Sequence, residues 1–336
     1  NATTAKEIYE QCNAYLTKPE LSVRGLIDRS NVKLICTTDD PVDDLKWHKK
    51  IREDQTCKVK VLPAFRPDKA MNIDQEGFSA YINTLSSVSE IKIDSFESLC
   101  AALYSRIDYF NSFDCRASDH ALDSGLYLEA DAGELDAILL KAVSGATVTE
   151  KEAEQYRTAL LLSLAKKYRE YGWVMQIHLG CMRNNNSKMF KELGPDTGFD
   201  AMNGCGRPDH LSQLLNRMNS ENALPRMVLY SLNPTDSEII ATIAGCFMAD
   251  ADCPGKIQLG SAWWFNDTKL GMQKQLADCA NAGLLGTFIG MRTGTRIFLS
   301  NTRHEYFRRI LCNFVGGLVE NVEYAADFDM LGQLIR

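Results

Sequence analysis

Seven times along this chain a short apolar run ends in polar or aromatic residues and gives way to a longer stretch with helical spacing. The runs are residues 32–36, 57–63, 115–118, 173–179, 227–232, 257–261 and 287–291. Several are nearly continuous in apolar residues, as parallel strands covered on both faces require. The roughly 20–50 residues between most of them are enough for a helix to carry the chain back to the same end of a sheet.

Two of the helices are marked at their ends. Ser95 precedes Phe96, Leu99, Leu103, Ile107 and Phe110, a 3–4 spacing that stacks one apolar stripe. Thr149 and Glu152 form a capping box ahead of Tyr156, Leu160, Ala165 and Tyr168, and Gly172 supplies the stop. Alternation of this kind predicts an α/β fold. Seven units in 336 residues fall one short of an eight-stranded (β/α) barrel, which takes about 250 residues. A barrel one strand short would leave a row of unpaired backbone groups. Residues 1–30 read as helical through Ala5, Ile8, Tyr9, Cys12 and Leu16, so they do not supply the eighth strand.

Composition excludes whole classes of function. With 37 basic and 44 acidic side chains the formal charge is −7, which disfavours a nucleic-acid partner. No apolar stretch approaches the ~20 residues of a membrane span, and residues 1–10 carry no apolar signal segment. The eleven cysteines are scattered without a C-x-x-C pair. They predict reduced thiols, with Cys36, Cys57 and Cys115 packed as small hydrophobes, and a reducing cytoplasm.

Chemistry in such barrels gathers where strands end, and the polar clusters of this chain fall there. Thr37-Thr38-Asp39-Asp40-Pro41 reads either as a capping turn or as part of a site. Arg66, at the end of the second run, suits a carboxylate ligand or a surface pair with Asp68. Asp119 and His120 read as an orienting pair within their loop or as catalytic groups. His178 closes an apolar run, with Arg183 and three asparagines just beyond it, and residues 194–200 form a glycine-rich loop. Trp263 and Trp264 read either as core or, with Asn266 and Asp267 attached, as a sugar-binding wall. Arg296 follows the last run. Arginines at three strand ends predict a small anionic polyhydroxylated substrate, each contact contributing about 1.5–3 kcal/mol.

The wording of these segments resembles the uronate (glucuronate) isomerases of the amidohydrolase superfamily. The similar strings are TTDDP at 37–41, VLPAFRPD at 61–68, CRASDHAL at 115–122, MQIHLG at 175–180 and RNNN at 183–186. GPDTGFD at 194–200, LPRMVLYSLNP at 224–234, QLGSAWWFND at 258–267 and RHEYFRRILCN at 303–313 extend the match over almost the whole chain. The resemblance implies a (β/α)₈ barrel that interconverts D-glucuronate with D-fructuronate and D-galacturonate with D-tagaturonate. It implies His178, Arg296 and Asp267 as catalytic residues and Arg66, Arg183 and Trp264 as substrate-binding ones, with Arg66 on the uronate carboxylate. A divalent metal, zinc, with His178 as its ligand, is also implied.

Two departures from the family pattern bear on these expectations. The family's first strand carries H-x-H before a helical insertion; residues 1–30 match the end of that insertion, and 31–336 match strands two to eight. The family's T-D-S-R is Thr293-Gly294-Thr295-Arg296 here, and glycine offers no carboxylate. An inactive barrel that binds a sugar acid is therefore the alternative, and a metal-dependent hydrolase of the wider superfamily a weaker one. The expected partner is a small hexuronate, with no nucleic acid and no membrane, and the sequence is compatible with a homo-oligomer.

Overall fold

A computed structural model describes residues 2–248, 253–292 and 297–335. Its strands are β1 (Leu34–Cys36), β2 (Lys60–Leu62), β3 (Ala117–Ala121), β4 (Val174–Leu179), β5 (Cys181–Met182), β6 (Ala201–Met202), β7 (Arg226–Ser231) and β8 (Ile257–Leu259). Parallel ladders join β1 to β2, β3 to β4, β4 to β7 and β7 to β8. Beyond the end of β2, Phe65 bridges both Asp39 and Ser118, which links the two ladders. The result is one run of six parallel strands in the order β1-β2-β3-β4-β7-β8, each beside the next of these strands in the chain. Helices make the crossovers. β5 and β6 form a separate antiparallel pair that closes the loop after β4.

The predicted helices stand where their signals place them. Ser95 caps the helix Phe96–Ser112 in a capping box whose return bond comes from Ser98, and Leu99, Leu103, Ile107 and Phe110 are fully buried. Thr149 and Glu152 cap Glu150–Glu170, and Gly172 just past its end holds φ +65°, a left-handed turn that glycine adopts without steric cost. Residues 1–30 contain the helices Ala5–Leu16 and Val23–Arg29, as the spacing predicts.

Strand parity divides the core from the cavity. Met175, Ile177 and Leu179 of β4 are buried against the helix layer, so Gln176 and His178 face the other way. Between sheet and helices, Phe65 meets Phe110 edge-on at 5.1 Å, and Tyr168 stacks on Trp173 at 5.6 Å. Burying each such ring contributes about 1.5–3 kcal/mol. A smaller cluster of Met272, Leu276, Met291, Phe307, Leu311 and Val315 seats the C-terminal helices.

Two expectations need correction. The seventh run, 287–291, is not a strand: Leu285–Thr287 is a 3-10 turn. The Gln258 side chain instead donates to Thr287 O and accepts from Ile289 N, so an amide side chain does the work of a ladder. Among the described residues the sheet does not close on itself, and β1 and β8 are its edges. Cys36 is exposed rather than packed, because it faces an open cavity, and Cys57 is half-buried; Cys115 is fully buried.

Candidate functional site

On the face of the sheet away from the helices lies a cavity of about 960 Å³. Arg66, Asp119, Gln176, His178, Arg183, Trp263, Trp264 and Arg292 are among its walls. Register explains why distant residues meet there. Asp119 pairs with Gln176, Ala121 pairs with His178, and His178 pairs in turn with Tyr230, so these positions share one face.

His178 is the centre of the arrangement. Its Nδ1 lies 2.7 Å from Asp119 Oδ1, and its Nε2 lies 2.9 Å from an Arg292 guanidinium nitrogen. A guanidinium only donates, so Nε2 accepts from Arg292 and the ring proton is assigned to Nδ1, the nitrogen on the Asp119 side. Burial pushes the imidazole's pKa down and the adjacent Arg292 and Arg66 charges push the same way; Asp119 opposes them without winning. The ring is therefore neutral near pH 7. Burial alone would raise the Asp119 carboxyl, but His178, Arg66 and Arg292 outweigh it and hold the group well below the usual carboxylate range. Tyr230 stacks flat on the imidazole at 4.5 Å, and Trp263 meets it edge-on at 4.7 Å.

Two other arginines enter the cavity already paired. Arg66 donates from Nε to Asp68 at 2.6 Å and from Nη1 to Asp119 at 3.2 Å. Arg183 contacts Asp200 at 3.1 Å and Asp196 at 3.4 Å, and its guanidinium lies 5.3 Å over the Trp264 ring. Arg292 differs: it donates to Gln176 Oε1 and His178, and it lies over the Tyr230 ring at 4.9 Å.

Of the expected site residues, the structure gathers Arg66, His178, Arg183 and Trp264 around this one cavity. Asp267 is not in its walls: its carboxylate takes Arg303 at 2.9 Å and the Tyr306 hydroxyl at 2.7 Å. Arg296 and Gly294 lie outside the described residues. His120, adjacent to Asp119, points to the opposite face and is fully buried beside Tyr168, so the two do not form a pair. Tyr230 and Arg292 are the residues that sequence reasoning did not place in the site, whereas Asp119 was read as an orienting or catalytic group but with His120 as its partner instead of His178. The signal for Arg292 was available, since it directly follows the seventh run as Arg66 follows the second.

A divalent metal held by His178 does not fit these residues. Both ring nitrogens are engaged, and among the described residues no three His, Cys, Asp or Glu side chains converge to hold an ion. Among the described residues, also, no helix is long and apolar enough to cross a membrane.

Comparison with known proteins gives consistent results. The Glucuronate isomerase family profile matches residues 1–336. The uronate isomerase of Lachnoclostridium phytofermentans is 51% identical over 336 residues, covering 100% of this chain and 72% of that protein. The crystal structure of uronate isomerase from Thermotoga maritima superposes with a TM-score of 0.91 at 34% identity, over 99% of this chain and 71% of that one. Glucuronate isomerase from Caulobacter crescentus gives 0.88 at 27% identity, over 99% and 67%.

Proposed function

Since this chain belongs to the glucuronate isomerase family, we propose that the cavity around His178 is where it isomerises a hexuronate. The protein is an aldose–ketose isomerase, acting on D-glucuronate and D-galacturonate to give D-fructuronate and D-tagaturonate. In such a reaction a base takes the C2 proton of the open-chain aldehyde while O1 gains one. The enediol then loses the O2 proton and C1 is protonated, leaving the carbonyl at C2.

The observation that carries the site assignment is the Asp119–His178 pair on the cavity wall. Asp119 fixes the tautomer, and a neutral buried imidazole offers Nε2 to a sugar hydroxyl, which suits His178 to proton transfer between substrate oxygens. Arg66 is assigned to the uronate carboxylate; its two bonds to Asp68 and Asp119 leave Nη2 to the ligand. Arg183 and Trp264 form the sugar-binding wall, the ring lying under the guanidinium. Arg296 is assigned to the same site from its sequence position alone. At the level of the whole fold, the six strands are read as strands two to seven of a (β/α)₈ barrel and the non-strand segment 287–291 as standing at the place of the eighth, with residues 1–30 as the end of a helical insertion. The superposition at TM-score 0.91 supports that reading. The free thiols favour a reducing compartment such as the cytoplasm.

The experiment is turnover of D-glucuronate to D-fructuronate by purified protein. His178→Asn and Asp119→Asn are expected to lower kcat by about a hundredfold or more, the loss typical of a general acid–base group. Arg66→Ala is expected chiefly to raise KM. Full turnover by His178→Asn would remove the imidazole from the mechanism.

A further inference from the structure

Neutral imidazole has a single basic lone pair, and in this cavity that lone pair faces a guanidinium 2.9 Å away. A zinc ion needs the same lone pair at about 2.0–2.1 Å, which would set two positive charges on one nitrogen. We propose that Arg292 is the resident cation of this site: it stands where a metal on His178 would have to bind, and its guanidinium takes an oxygen of the hexuronate. The second half rests on the isomerase reading above.

The surroundings of Arg292 separate it from the other arginines. Arg66 sits between Asp68 and Asp119, and Arg183 between Asp196 and Asp200, so their charges are already balanced by carboxylates. The partners of Arg292 are neutral: the Gln176 amide, the His178 ring and the Tyr230 face. Its Nε is buried and has no hydrogen-bond acceptor among the described residues. A buried donor with no acceptor, on a cation whose direct partners are all neutral, is an unfilled site for a strongly accepting oxygen. A sugar hydroxyl that slips between the guanidinium and the ring accepts from Arg292 and donates to Nε2. It replaces one hydrogen bond with two and orders a substrate oxygen beside the proton acceptor.

The test uses the intact protein with ¹⁵N-labelled histidine, and none of its readouts requires turnover. Zinc alone, titrated into the wild type, is expected to leave the His178 Nε2 resonance where it is. A change in that resonance on stoichiometric zinc binding would overturn the proposal. D-glucuronate is then titrated by calorimetry into wild type, Arg292→Lys and Arg292→Met. Loss of the cation in Arg292→Met is expected to weaken binding at least about tenfold, with Arg292→Lys between it and wild type. Equal affinity in all three, with unchanged melting temperatures, would overturn it as well. Failure of the isomerase reading would be visible separately, as absence of turnover.

Discussion

At the residue scale the site depends on which way two neighbours point. Asp119 faces the cavity and His120 faces the helices, because adjacent positions of a strand emerge on opposite sides. His120 is fully buried, and neither ring nitrogen has a hydrogen-bond partner among the described residues. Burial pushes its pKa down to about 4 against the pull of Asp119. Above pH 6.5 the ring is neutral folded or unfolded. Between 6.5 and 4 the unfolded chain binds a proton that the folded chain refuses, so stability falls as the pH falls. The whole window is worth up to about 3 kcal/mol. His120→Phe keeps the shape and removes the titration. Denaturant melts at pH 7 and pH 4.5 are expected to show a smaller loss for the variant than for wild type; identical losses would place the acid sensitivity elsewhere.

At the element scale the β4–β7–β8 segment does the positioning, and one glycine allows it. Gly260 follows β8, and a Cβ there would lie 2.2 Å from Cδ1 of Tyr230. Tyr230 is buried and stacked on His178, so its ring has nowhere to retreat. Gly260→Ala is expected to destabilise by about 1–3 kcal/mol, the usual cost of overpacking, and to lower isomerase turnover by disturbing the imidazole. Gly286→Ala, whose Cβ would meet nothing within 4 Å, is the control and leaves both unchanged. A Gly260→Ala protein as stable and active as wild type would show that the Tyr230 stack is not needed. The helices Phe96–Ser112 and Glu150–Glu170 contribute differently: their caps and apolar stripes were written locally, and the structure keeps both.

At the scale of the whole molecule the sheet gathers its chemistry on one side, and its thiols divide between buried and exposed positions. Cys100, Cys115, Cys205 and Cys279 are buried, and burial pushes the Cys115 thiol up to about 12 and the other three to about 11. Thiolate is the reactive form, so these four resist modification while the fold persists. A thiol reagent applied without reductant is expected to modify exposed Cys12, Cys36, Cys246 and Cys312 readily. After denaturation it should titrate all eleven. Fewer than eleven in the denatured chain would reveal a disulfide.

Local pattern determined a good deal of this protein. Apolar runs marked six parallel strands, capping residues marked two of the helices between them, and position at strand ends picked out Arg66 and His178. What local pattern does not carry is parity and distance. Whether Asp119 or His120 enters the cavity depends on which face of β3 the helices cover. That Arg292 meets a histidine 114 positions earlier depends on the curvature of the whole sheet. The Gln258 amide that holds 287–289 in place of a ladder is likewise a contact made only after the chain has returned. Secondary structure follows from short-range sterics and periodicity, but a site is a meeting of residues far apart in sequence, and only tertiary packing brings them together.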